Sequence, residues 1–235
     1  MARFFGPYYN LLLSTMRFDI ITIFPEIINA YLNESIIKRA RERGLLDVCV
    51  HNLRNFTDDK HHKVDDRPFG GGPGMVMKVE PIVKAIEKII AGCRTSGIIV
   101  VFLDAGGKQF DAKRARQFSK KYNHIILIAG RYEGMDARLL KILKANSRKL
   151  TSISIGPYVL TGGELPALVV LDAISRHIPG VLGKEESLEE KRHGVGVLAY
   201  TRPEVFEYKG KKYRVPKVLL SGDHKRVEDW RKKKR

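Results

Sequence analysis

Apolar runs and helical repeats of apolar residues follow one another along most of the chain. Runs of mostly apolar residues are typical of strands that are buried on both faces of a parallel sheet. Apolar residues that recur every three or four positions predict amphipathic helices instead. Strands are predicted at Met16–Phe24, Leu46–Val50, Ile98–Leu103, His124–Ala129 and Leu150–Ile155, and helices from Pro25 to a stop at Gly44 and at Glu80–Ile90, Ala112–Tyr122 and Glu164–His177. This alternation predicts an α/β fold, a parallel sheet with helices on both faces.

Three other segments shape the predicted organisation. His51–Gly74 has almost no apolar content and is predicted to be a long loop. Loops of this length are usually functional or mobile. Gly183–Gly196 combines charges with glycines, a composition that indicates a linker. No element matches the residues before Met16, where we expect the fold to begin. The predicted domains are therefore a sheet domain over 16–183, a linker over 184–196 and a small, mainly helical domain over 197–235.

The helix at Glu164–His177 is apolar nearly all round. A helix of this kind is buried on every side. We therefore expect it to lie in the core and to contact a partner chain.

Composition excludes several classes of protein. Cys49 and Cys93 are too few and too far apart for a disulfide scaffold or a zinc ribbon. No apolar run approaches the ~20 residues of a membrane span, and the first residues lack the features of a signal peptide. We expect a cytoplasmic protein that has no membrane partner.

The net charge of +17 indicates a polyanionic partner such as nucleic acid. Residues 197–235 hold 13 Lys and Arg against 5 Asp and Glu. Aromatic rings among cations can stack on unpaired bases, although they can equally form a small local core. These rings are Tyr200, Phe206, Tyr208, Tyr213 and Trp230.

Three glycine-rich segments each follow a predicted strand: Asp104–Gly107, Gly130–Gly134 and Ile155–Gly163. Open α/β folds bind ligands beyond the carboxyl ends of their strands, where glycines are expected to leave space for a ligand. The three segments predict a small-molecule pocket. None matches a dinucleotide or P-loop fingerprint.

Longer motifs occur at Phe24-Pro25-Glu26, Asp65–Met75, Gly130–Asp136 with Arg138, Ser154–Pro166, Ser175–Gly183 and Tyr200–Glu204. Together they resemble the bacterial tRNA (guanine(37)-N(1))-methyltransferases from about Met16 to Trp230. The resemblance implies a SPOUT-type methyltransferase with a C-terminal trefoil knot. It also implies a homodimer, S-adenosylmethionine as methyl donor, a tRNA substrate and a magnesium ion, for which the sequence alone indicates no ligands.

The resemblance also implies roles for individual residues. Arg176 matches an arginine near the guanine carbonyl oxygen, Asp65 matches an acid in the guanine pocket, and Glu133 matches an acid beside the donor. Predicted substrate contacts are Asp65, Arg67, Arg202, Lys209, Lys211 and Lys212. Predicted donor contacts are Leu103, Gly107, Gly130, Tyr132, Glu133, Gly134, Ile155, Gly156, Tyr158, Val159, Leu160, Gly162 and Gly163.

The chain departs from the family pattern at the proton acceptor. Lys191 stands where the family has an aspartate, and a protonated lysine cannot take a proton. The alternatives are Glu190 or Glu189, His193, or chemistry that depends on Arg176 and a metal.

Two further departures affect the predicted pocket. Asp104-Ala105-Gly106-Gly107 replaces the usual Ser-Pro-Gln-Gly, and Pro157 replaces an aspartate. The missing proton acceptor leaves open an RNA-binding protein without turnover. A ribosomal RNA methyltransferase of the same fold is the third hypothesis.

Overall fold

The computed structural model describes residues 15–91, 93, 96–146, 149–183 and 198–233. Two compact units divide the chain between residues 182 and 183. No helix within these described ranges is long and apolar enough to cross a membrane.

A five-stranded parallel sheet forms the centre of the first unit, with strand order β2-β1-β6-β5-β7. The strands of this sheet are β1 (Met16–Thr22), β2 (Leu46–Asn52), β5 (Ile98–Gln109), β6 (His124–Ile128) and β7 (Leu150–Ser154). The helices are α1 (Pro25–Leu32), α2 (Ser35–Glu42), α3 (Val79–Ala91), α4 (Ala112–Lys121), α5 (Arg138–Ala145) and α6 (Glu164–Ser175). The parallel α/β architecture is confirmed.

Successive residues of each strand point to opposite faces of the sheet, and both faces are covered. Phe18 and Ile20 of β1 pack in one core with residues of α1, α2, α4 and α6. Ile21 belongs to the second core, which includes residues of α3 and α5. This double covering explains why the strands are apolar along their whole length.

The structure corrects two elements predicted from the sequence and adds one that was not predicted. The helix expected from Pro25 to Gly44 is two helices, since the chain turns at Asn33 and Ser35 has a φ of 52°. β5 continues through Gln109 instead of ending at Leu103. The short helix α5 was not predicted from the sequence.

The long loop contains local structure of its own. A 3-10 helix spans Leu53–Phe56, and two short strands, β3 (Asp65–Asp66) and β4 (Val76–Met77), pair antiparallel. The pairing places Asp65 opposite Met77.

A fully buried carboxylate joins three strands on the sheet. Asp19 Oδ1 lies 2.6 Å from His51 Nε2, and Asp19 Oδ2 lies 2.6 Å from His124 Nε2 and 2.7 Å from Arg17 Nε. Burial alone would raise the pKa of Asp19, but the hydrogen bonds from His124, His51 and Arg17 hold it well below its usual range. Both oxygens of the buried Asp19 carboxylate therefore have hydrogen-bond partners.

The second unit contains a hairpin that the sequence analysis missed. Strands β8 (Val205–Tyr208) and β9 (Lys211–Arg214) pair antiparallel, followed by helices α7 (Lys217–Leu220) and α8 (His224–Lys233). Lys209 and Gly210 both have positive φ, 50° and 75°. That combination is typical of the type I′ turn that matches the twist of a hairpin.

The aromatic residues of this unit fall into two groups. Tyr200 and Trp230 contact each other at a ring distance of 6.0 Å, as a small local core requires. Phe206, Tyr208 and Tyr213 of the hairpin are all more than half exposed.

Candidate functional site

A cavity of about 420 Å³ opens at the carboxyl ends of β5, β6 and β7. It is the place where the sequence predicts a pocket, and all three glycine-rich segments contribute to its wall. The lining residues are 102–105, 130–137, 139–140, 152–156, 158–163 and 166. Every predicted donor contact except Gly107 lies in this lining.

Gly107 lies against β7 and not on the cavity wall. A Cβ at this position would stand 2.6 Å from the backbone nitrogen of Ile153. Leu103 and Lys108 both pair with Ile153, so residues 104–107 form a bulge within β5. The first glycine segment is therefore part of a strand, and Gly107 permits its close approach to β7.

Gly163 brings the second and third glycine segments into backbone contact. Its N–H donates to Gly130 O at 2.8 Å. A Cβ on Gly163 would lie 2.6 Å from Ala129 Cα and 2.7 Å from Gly130 N. At Gly162 a Cβ would meet the Arg131 guanidinium. Both positions require glycine because a side chain would collide with neighbouring atoms of the protein. The sequence predicted only that glycines leave space for a ligand.

A buried ion pair between Arg131 and Glu164, which was not predicted from the sequence, connects the same two segments. Glu164 is 1% exposed, and its Oε2 accepts from Arg131 Nε at 2.9 Å while its Oε1 accepts from the Thr22 hydroxyl at 2.8 Å. Arg131 also donates to Thr161 O at 3.2 Å and stacks on the Phe24 ring at 4.7 Å. The sequence contains one sign of this pair: Glu164 is an acid that directly follows Gly162-Gly163 at the start of an apolar helix.

The long loop is attached to the second glycine segment by backbone hydrogen bonds. Glu133 N donates to Met75 O at 3.0 Å, Met77 N donates to Gly134 O at 2.9 Å, and Asp136 N donates to Met77 O at 3.0 Å. Because Met77 pairs with Asp65, the predicted guanine contact is connected to the cavity rim. Arg67 of the same loop is exposed.

Two acids of the second segment line the cavity in different environments. Asp136 accepts three hydrogen bonds from the Arg138 side chain, and these hold the pKa of Asp136 below its usual value. Glu133 approaches Gly74, whose Cβ would stand 2.6 Å from Glu133 Oε1. Within the part of the chain that the structure describes, no three His, Cys, Asp or Glu side chains cluster as metal ligands. We therefore assign no residue to magnesium.

Arg176 lies apart from the cavity lining. It follows the last residue of α6 and is partly buried, and its N–H donates to Asp172 O at 3.1 Å. The Asp172 carboxylate accepts from the Tyr31 hydroxyl at 2.5 Å. Burial, together with this hydrogen bond and the aspartate charge, raises the pKa of Tyr31 to about 12.

The remaining predicted residues lie elsewhere. Arg202, Lys209, Lys211 and Lys212 are exposed residues of the second unit. Glu189, Glu190, Lys191 and His193 lie outside the described residues.

Residues 16–235 match the protein family described as tRNA (Guanine-1)-methyltransferase TrmD. The chain belongs to this family of tRNA methyltransferases. A tRNA (guanine-N(1)-)-methyltransferase of Clostridioides difficile is 48% identical over 220 residues, covering 92% of this chain and 91% of the relative. One of Dictyoglomus turgidum is 48% identical over 221 residues, covering 93% and 84%. A third, of Carboxydothermus hydrogenoformans, is 46% identical over 221 residues, covering 93% and 82%.

Membership of the methyltransferase family confirms the resemblance drawn from the motifs. The glycine-lined cavity then coincides with the segments that the resemblance assigns to the methyl donor. The matches do not favour the two alternatives, an RNA-binding protein without turnover and a ribosomal RNA methyltransferase.

Proposed function

We propose that this chain transfers the methyl group of S-adenosylmethionine to nitrogen 1 of the guanine at position 37 of tRNA, next to the anticodon. The observation that carries the proposal is the cavity formed by three glycine-rich segments in a chain of the tRNA methyltransferase family. Incubation with labelled donor and unmodified tRNA tests it by methyl incorporation.

The reaction needs a positioned methyl group, removal of the ring proton and stabilisation of charge on the neighbouring carbonyl oxygen. S-adenosylmethionine supplies an electrophilic methyl group on its sulfonium. Glu133 supplies a carboxylate on the cavity wall, and its negative charge stabilises the positive sulfonium. Arg176 supplies a permanently charged donor suited to the oxygen.

We propose that two copies of the chain complete the site. Arg176 does not line the cavity of its own chain, and α6, the helix that it follows, has exposed apolar side chains. Leu165 and Val169 lie one helical turn apart on α6 and are 58% and 46% exposed. Phe24 and Ile27 add exposed apolar surface at the start of α1. These residues support a homodimer interface through α6.

Val169→Lys is expected to convert the dimer to monomers, because a charge at the centre of an apolar interface is left without water or a partner. Sedimentation at micromolar concentration measures the mass. Leu220→Lys, on an exposed leucine of the second unit, should leave the dimer intact. A wild-type protein that sediments as a monomer would contradict the proposal.

We propose that the second unit binds tRNA through phosphates and stacked bases. Phe206 lies directly opposite Tyr213 in the hairpin, and the Phe206 and Tyr208 rings are nearly parallel, 6.5 Å apart. The three rings are exposed beside Lys209 and Lys211. Exposed rings among cations support base stacking with phosphate contacts.

Replacing Lys209, Lys211, Lys212 and Arg214 by glutamine should flatten the salt dependence of tRNA affinity by roughly one log–log unit for each phosphate that is no longer neutralised. Phe206→Ala is the matched control, since loss of a stacked ring should weaken binding while leaving the slope unchanged. Filter binding at several salt concentrations measures both. An unchanged slope in the glutamine variant would mean that these cations face solvent.

Two finer features follow from the same proposal. We propose that the chain after β7 forms the trefoil knot implied by the resemblance, and the close approach of Gly163 to Ala129 supports a crossing of these segments. We also propose that the reaction takes place in the cytoplasm. The free thiols of Cys49 and Cys93 are compatible with that compartment.

A further inference from the structure

We infer that Asp104 binds the ribose hydroxyls of the methyl donor, an inference that rests on the proposed function. Asp104 lies on the cavity wall, at the point where β5 begins its bulge, and it is exposed. The roles implied by the family resemblance do not include Asp104.

Two hydrogen bonds fix the orientation of the Asp104 carboxylate. Gly106 N–H donates to Oδ1 at 3.0 Å, and the Ser152 hydroxyl donates to Oδ2 at 3.0 Å. An ionised carboxylate accepts about four hydrogen bonds, so each oxygen keeps capacity for one more donor. Two adjacent hydroxyl groups that donate side by side, as in a ribose diol, match this arrangement.

The surroundings of Asp104 favour a nucleoside. Leu103 precedes it, and Leu103 pairs with Ile153 of β7, while Ile155 follows that strand. All three aliphatic residues line the cavity. Leu103 and Ile153 are buried in the core, at 7% and 1% exposure, so Ile155, which is partly buried, is the residue that offers an aliphatic side chain to the face of a purine. The ribose is the group bonded directly to that purine.

A second carboxylate of the cavity wall, Glu133, suits the sulfonium of the donor. Asp104 lies on β5 and accepts a hydrogen bond from Ser152 of β7, whereas Glu133 follows β6, the strand on the other side of β5. Glu133 is next to Gly74 of the long loop, which carries the predicted guanine contact. The sulfonium belongs on that side, near the base it methylates. The paired ribose hydroxyls match the two free acceptor positions of the Asp104 carboxylate, and the α-ammonium is the competing ligand that the experiment distinguishes.

Titration calorimetry with S-adenosylhomocysteine and its 2′-deoxy and 3′-deoxy analogues tests the inference without requiring turnover. A hydrogen bond to a charged acceptor predicts that the wild type binds each deoxy analogue roughly 10- to 100-fold more weakly than the parent compound. Asp104→Ala should bind the parent weakly and lose most of this discrimination. Asp104→Asn preserves shape, and it should discriminate less strongly than the wild type because its acceptor is uncharged.

Glu133→Gln is the matched control at the second carboxylate of the cavity wall. It should retain the wild-type discrimination against the deoxy analogues. Retained discrimination in Asp104→Ala would overturn the inference while leaving the proposed function intact. An analogue of S-adenosylhomocysteine without the α-amino group is the further probe. If Asp104→Ala loses discrimination only against this analogue, Asp104 binds the ammonium group and the inference is also overturned. If the folded wild type binds neither S-adenosylmethionine nor S-adenosylhomocysteine, the proposed function itself is wrong, and the inference fails with it.

Discussion

Gly163→Ala is expected to lower the free energy of unfolding by about 1–3 kcal/mol, the usual cost of overpacking, and to weaken binding of S-adenosylmethionine because the cavity wall is displaced. The new methyl group would stand 2.6 Å from Ala129 Cα and 2.7 Å from Gly130 N. Both neighbours are backbone atoms next to a buried strand, so they cannot rotate away as a side chain could. The second and third segments of the cavity wall must separate, and the Gly163–Gly130 hydrogen bond is broken. Titration calorimetry with the donor measures the change.

Gly183→Ala is the matched control for this substitution. Gly183 is exposed and does not line the cavity, and a Cβ there would have no heavy atom within 4 Å. We expect near-normal donor affinity and thermal stability. Normal affinity in Gly163→Ala would contradict the account, because the close approach of the two segments would then be unnecessary for binding.

Glu190→Gln or Glu189→Gln is expected to slow single-turnover methylation by about 10²–10⁴-fold, the usual contribution of a general base. Nitrogen 1 must lose its proton, and these acids are the nearest alternatives to the position that Lys191 occupies. Carboxylates are weak bases, but Arg176 can stabilise the charge that gathers on the carbonyl oxygen as the proton leaves. Binding of tRNA and donor should stay near normal, because the change removes a charge without removing a side chain.

Lys191→Ala and His193→Ala are the controls for the proton acceptor. Lys191→Ala should change the rate little. If both glutamine variants keep rates within a few-fold of the wild type while His193→Ala lowers the rate, the histidine is the base and the carboxylate assignment is wrong. If none of the variants matters, the ring proton goes directly to solvent and the linker acids have no catalytic role.

The sheet was predictable because its signals are local. Strands such as His124–Ile128 are apolar at nearly every position, a pattern typical of strands that helices cover on both faces. The break between α1 and α2 was not predictable, because the apolar repeat continues across it and only Asn33 and the unusual φ of Ser35 end the first helix. The hairpin of the second unit was missed because its strands are short and strongly charged.

The position of the candidate site was predictable, but the reasons for its glycines were not. Glycine segments after parallel strands indicate the ligand edge of the sheet. Sequence cannot show, however, that Gly107 contacts β7 or that Gly162 faces Arg131, since both contacts join segments distant along the chain. The Arg131–Glu164 pair was missed for the same reason.

The most direct test of the central claim is to map the methylated nucleotide after incubating unmodified tRNA with the protein and labelled S-adenosylmethionine. The account predicts one methyl group on nitrogen 1 of guanine 37, and none in tRNA that carries adenine at this position. Donor binding without any methylation would support a binding protein that has lost turnover. Methylation of ribosomal RNA, or of another tRNA nucleotide, would contradict the proposed function.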